Sequence, residues 1–173
     1  MAEPFETMLT GGHPNSLGRT IEVVKTVLAN PDRFDELYNC YRSDDEVVRL
    51  RVSNAMRRIE AERHDLLVPY IDRFIEEIGE LDQPSAQWTL AKLFEALERD
   101  MTAEQKAEAQ AIMMRNLAKH PDWIVLNNTM EALFSWSADD ADLRQWLRPQ
   151  LERLVEDPRK SVSSRARKLL KRF

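Results

Sequence analysis

The chain has 173 residues, enough to bury a sizeable core as one domain or a short repeat array. Its 43% hydrophobic and 32% charged residues exclude a disordered chain, and no apolar run approaches the ~20 residues of a membrane span. A net charge of −5 argues against general nucleic-acid binding, because that affinity comes from neutralising phosphates.

Only 4 glycines are present, which favours helices joined by tight polar turns over an all-β fold or a phosphate-cradling loop. Residues 1–16, with Gly11-Gly12 and two prolines, read as a flexible leader. A weak amphipathic pattern follows at Leu17, Ile21, Val24, Lys25 and Leu28, with Lys25 breaking one apolar position. Cys40, the single cysteine, falls in the helix after Pro31 and reads as a small buried residue. With no partner for a disulfide and no secretory signal, the expected location is the cytoplasm.

A clear helical face comes next, at Val48, Val52, Ala55, Met56 and Ile59. The template returns 38 residues on at Ala86, Leu90, Leu93, Phe94 and Leu97, then after 39 at Val125, Thr129, Ala132, Leu133 and Trp136. A further 37 residues bring Val162, Ala166, Leu169, Leu170 and Phe173. Between these faces lie second helices: Leu66 to Ile75, a plainer one around Ala111 to Leu117, and Trp146 to Val155. The first and last correspond residue for residue and carry Pro69 and Pro149, where each helix should kink or restart. Asp82, Asp122 and Asp157 are candidate caps, with Pro158 at a first helical position. Thr102 and Gln105 read as a capping box, and Ser137 as the cap of the helix after it.

The stretch from Leu143 to Phe173, with Pro149, Leu154, Asp157-Pro158, Val162, Ala166 and Leu169-Leu170, resembles a HEAT repeat. Asp45, Val48, Arg49, Val52, Ala55, Met56 and Ile59 match the second half of the same motif. The resemblance covers roughly residues 17–173 and implies an all-α fold, a right-handed α-α superhelix forming a single solenoid domain. The Asp and Arg ladder common in such repeats is represented only by Asp45 and Arg49. The matching positions hold Gln83 with Gln87, Asp122 with Leu126, and Arg159 with Ser163, so stacking should be chiefly apolar.

If the template faces the core, the second, fifth, sixth and ninth positions after Val48 point away from it. They give Leu50, Ser53, Asn54 and Arg57; Trp88, Ala91, Lys92 and Glu95; Asn127, Met130, Glu131 and Phe134; and Ser164, Arg167, Lys168 and Lys171. In helical solenoids this side usually receives partners. The candidate binding residues are therefore Leu50, Arg57, Trp88, Lys92, Met130, Phe134, Arg167 and Lys171. Leu50, Trp88, Ala91, Met130 and Phe134 would form an apolar stripe, ending in a basic segment where Arg159, Lys160, Arg165, Arg167, Lys168, Lys171 and Arg172 occur without an acid. Trp88 and Phe134 are open to two readings, partner anchors or core, and the basic helix to two more, docking surface or soluble cap.

No catalytic constellation is visible. His13, His64 and His120 are scattered, none at metal spacing with a cysteine or second histidine, so neither metal nor cofactor is expected. The expected function is a non-catalytic scaffold for a partner protein or peptide, or for a second copy of itself as a homodimer. The alternative is a nucleic-acid-binding protein related in architecture to the HEAT-like DNA-alkylation-repair glycosylases. Trp88, Arg57, Arg167 and Lys171 would then face DNA, with Glu95 and Glu131 opposing it.

Overall fold

A computed structural model describes all 173 residues, Met1 to Phe173. Ten α-helices, joined by tight turns that include several 3₁₀ segments, account for the regular structure, and there is no strand. No helix is long and apolar enough to cross a membrane. Two compact units are distinguishable, Met1–Thr89 and Leu90–Phe173, and their boundary falls within one helix.

The first unit contains α1 (Phe5–Leu9), α2 (Thr20–Ala29), α3 (Phe34–Asn39), α4 (Glu46–Glu62), α5 (Ile71–Glu76) and the start of α6 (Pro84–Leu97). Helix α4 packs against α1 and α2. Its start is fixed by Asp45, whose carboxylate accepts the Val47 N–H at 2.8 Å. The segment expected to be a flexible leader includes α1. Phe5, Met8 and Leu9 lie one helical turn apart and are buried, and Glu36 accepts the Phe5 N–H at 2.8 Å. The weak pattern beginning at Leu17 is also displaced. Leu17 is exposed ahead of the helix, and α2 buries Thr20, Val23, Val24 and Val27 instead.

The second unit contains the remainder of α6 with α7 (Ala103–Lys119), α8 (Trp123–Trp136), α9 (Ala141–Val155) and α10 (Lys160–Leu170). Helix α8 packs against α7, α9 and α10. Asp122 caps it by accepting the N–H groups of Ile124 and Val125, and Thr102 with Gln105 forms the reciprocal capping box of α7.

Helices α4, α6, α8 and α10 begin at Glu46, Pro84, Trp123 and Lys160, so the steps between them are 38, 39 and 37 residues, those of the sequence template. The template's apolar positions in α4, α6 and α8 are all at most 2% exposed; Leu170 at the end of α10 and Phe173 beyond it are only half-buried. Each fully buried large apolar side chain contributes ~1.5–3 kcal/mol, against ~0–1 for an exposed ion pair, so this face determines the packing. In the second helices, Leu67, Ile71 and Phe74 are buried as their counterparts Leu147, Leu151 and Leu154 are.

Several helix ends differ from expectation. The chain around Pro69 restarts, with 3₁₀ turns at His64–Leu66 and Val68–Tyr70 before α5, whereas α9 runs through Pro149 unbroken. Asp82 stands too early to cap α6; the Gln83 carbonyl accepts the Gln87 N–H there, and Pro84 takes the first helical position. Asp140, not Ser137, caps α9, because the Ser137 hydroxyl donates back to the Phe134 carbonyl at 2.8 Å. Pro158 precedes α10 rather than opening it, and Asp157 accepts the Arg159 N–H at 2.9 Å.

The polar links between segments that the template sets about 38 residues apart are broader than an Asp–Arg pattern reveals. Arg49 donates from Nε to Gln83 Oε1 at 3.0 Å, so a carboxamide takes the place of a carboxylate. Arg159 donates to the Pro121 carbonyl, a main-chain acceptor with no side-chain signature.

Arg51 is 1% exposed and has no carboxylate partner. Its Nη1 donates to the carbonyls of Leu9 at 2.6 Å and Gly11 at 2.7 Å, while Nε donates to Ser16 and Nη2 to His13, each at 3.2 Å. Gly11, Gly12 and Gly18 all have positive φ, which lets the loop turn its carbonyls inward on the guanidinium. Four aligned dipoles thus replace the counter-ion that a buried charge otherwise needs.

Candidate partner-binding face

The expected face is only partly outward. Arg57, Arg167 and Lys171 are exposed, while Leu50, Trp88, Lys92 and Phe134 are half-buried. Met130 is 0% exposed and belongs to the core, as does Ala91 at 2%. Both occupy the fifth position after the template start, and Ser53, at the same position in α4, is buried as well, sharing a 3.1 Å hydrogen bond with Tyr41 Oη. That position lies at the flank of the helix rather than opposite its core. In α8, which has three helices packed around it, the flank is covered. The same position in α10 is Arg167, which is exposed.

An open apolar stripe is therefore absent. In the first unit Leu50 and Trp88 are half-covered; Lys92, in the second, stands 3.8 Å from Glu95. In the second unit the Phe134 ring meets Phe173 edge-on at 5.6 Å, and the Arg172 guanidinium lies over it at 4.7 Å. Trp123 at the start of α8 is the large aromatic most open to solvent, at 48%, and lies outside the expected set.

The basic segment is accessible. On α10, Lys160, Ser161, Arg167 and Lys168 are exposed, as is Lys171 just after it, and Ser164 and Arg165 are half-exposed. Arg167 and Lys168 lie in the last turn, where cations complement the helix's unpaired carbonyls, and Arg167 reaches the Val155 carbonyl at 3.3 Å. Before the helix, Arg159 grips Asp157 through Nε at 2.9 Å and Nη2 at 2.8 Å, and this guanidinium holds the Asp157 carboxyl down at about 2.

One face of α10 opens on a cleft of about 350 Å³ lined by Ser161, Ser164, Arg165 and Lys168, with Glu131 of α8 across from them. Glu131, Ser164 and Lys168 come from the positions that the periodicity turns away from the core; Ser161 and Arg165 do not. Arg165 donates through Nη1 to Glu131 Oε1, and its Nε, shielded from solvent, has no acceptor. The set holds two cations, two hydroxyls and one carboxylate, so it suits binding of an anion. It offers no nucleophile paired with a base.

Burial pushes the Cys40 thiol up to about 12, and it donates to the Glu36 carbonyl at 3.3 Å. No group of three or more His, Cys, Asp or Glu side chains is placed to hold a metal ion. Comparison of the chain with known protein families, with characterised proteins and with solved structures gives no match.

Proposed function

We propose that the protein is a non-catalytic interaction module built on HEAT-like helical repeats, and that its basic α10 face binds an acidic segment of a partner protein. The observation that carries this reading is the concentration of accessible positive charge on one helix of an acidic chain. Arg159, Lys160, Arg165, Arg167, Lys168, Lys171 and Arg172 follow Asp157 with no acid among them, although the whole chain carries −5. An isolated basic face in a negative field attracts a short acidic segment locally, while the rest of the surface repels an extended polyanion such as DNA. The absence of an open apolar stripe shifts the emphasis from Trp88 and Phe134 to Arg167, Lys168 and Lys171.

Fluorescence anisotropy with a labelled glutamate-rich peptide, its glutamine counterpart and a DNA duplex tests the reading. The acidic peptide is expected to bind, to weaken with added salt, and to be lost in the Arg167→Ala, Lys168→Ala, Lys171→Ala triple variant. Absence of peptide binding, or stronger binding of the duplex, overturns it.

A further inference from the structure

We infer that the cleft between α8 and α10 is a carboxylate seat, in which Arg165 receives an Asp or Glu side chain of the partner through the edge formed by its Nε and Nη2. This rests on the reading of α10 as a face for acidic partners and gives that face a specific anchor.

The molecule itself shows what this guanidinium edge takes. Arg63 holds Asp65 with Nε and Nη2 both at 2.8 Å, and Arg33 holds Glu36 with the same two atoms at 2.8 and 2.9 Å. Arg19 with Glu22 and Arg159 with Asp157 repeat the two-pronged arrangement. This planar fork matches a carboxylate, which is why it recurs. Arg165 departs from it. Glu131 engages Nη1 alone, and Nε donates to nothing.

Register adds a second, independent indication. Arg165 stands 114 residues after Arg51, at the same place in the last copy of the template as Arg51 in the first. Every arm of the Arg51 guanidinium is bonded by the chain's own loop. No loop covers Arg165, which is 42% exposed beside the cleft. The seat requires that side chain to turn so that its unused edge, shielded from solvent in the empty cleft, faces the opening. Lys168 then adds a second positive charge, and the Ser161 and Ser164 hydroxyls add donors to the outer carboxylate oxygen. Glu131 keeps Arg165 near the cleft when it is empty and opposes entry of a second negative charge.

The test is ¹⁵N NMR of the Arg165 Nε–H during titration with the glutamate-rich peptide, alongside anisotropy on three variants. On saturation the Arg165 Nε–H signal moves. Arg165→Lys, which keeps the charge and removes the fork, weakens binding about tenfold. Glu131→Gln tightens it several-fold, and Lys171→Ala, at the end of the same helix and outside the cleft, costs threefold or less. If the wild type binds the peptide with the Arg165 signal unmoved and Arg165→Lys unaffected, the seat is wrong while the α10 face stands. If the wild type binds no acidic peptide, both fall. Glu131→Gln retains a hydrogen-bonding partner for Arg165, so its effect remains readable even where Arg165→Lys lowers stability.

Discussion

Gly18 lies so close to Arg51 that a Cβ there would stand 2.9 Å from Cζ and 2.9 Å from Nη1. Its φ of +52° is also one that L side chains rarely adopt. Gly11, with φ +78°, has nothing within 4 Å of the corresponding point. Gly18→Ala should therefore cost roughly 2 kcal/mol and Gly11→Ala about 1, the difference being the clash. In an Arg51→Ala background the two penalties should converge, a coupling measurable by urea denaturation in a double-mutant cycle.

Removing the guanidinium itself should be more damaging. Arg51→Met leaves the carbonyls of Leu9, Gly11, His13 and Ser16 without their donor, and we expect a loss of about 3 kcal/mol or more. Arg51→Lys should recover little, because a single ammonium cannot span four acceptors arranged for a planar fork. Limited proteolysis is the second measurement. Cleavage within residues 10–18 should appear in both variants and not in the wild type.

The Asp157–Arg159 pair predicts a defined acid response. The folded carboxyl sits at about 2, below the ordinary ~3.9 of an unfolded aspartate. Its stabilisation is thus fully present above the unfolded value and disappears as pH falls through the folded one. The stability gap between wild type and Asp157→Asn should be widest near pH 5 and close near pH 2. Urea midpoints measured across that interval provide the check.

The correction at Met130 has its own signature. Met130→Ala should cost about 3 kcal/mol as a core truncation. Arg57→Ala, an exposed member of the same expected face, should stay within ~0.5 kcal/mol. Parallel thermal melts would distinguish them.

The comparison of Met130 with Arg57 also shows what periodicity can convey. Val48, Val52, Ala55, Met56 and Ile59, and their equivalents in α6 and α8, are buried because a repeated apolar face has one physical use. The ninth position was legible in the first and last copies, where Arg57 and Lys171 are exposed. The flanks were not, because their burial depends on how many neighbours a helix has, and a pattern within one helix does not encode that. Arg51 left a trace that could have been followed: a charge about 80° from the centre of the core face, in a chain whose few glycines include Gly11, Gly12 and Gly18. Arg165 carried the same trace by register. The acceptors of Arg51, and the Pro121 acceptor of the Arg159 Nη1, are main-chain carbonyls and left none.

That last property sets how the 9–18 segment can change over evolution. Carbonyl oxygens are supplied by any residue, so Thr10 and Asn15, whose side chains take no part in holding Arg51, are open to wide replacement. His13 and Ser16 are tied more closely, since their side chains accept the N–H groups of Asn15 and Gly18, both at 3.1 Å. Gly18 and Arg51 are constrained most, one by the space it must leave empty and the other by the donors it must supply. Among diverged copies of this chain, Thr10 and Asn15 would vary freely in side-chain chemistry while the segment keeps its length, its glycines and its backbone path.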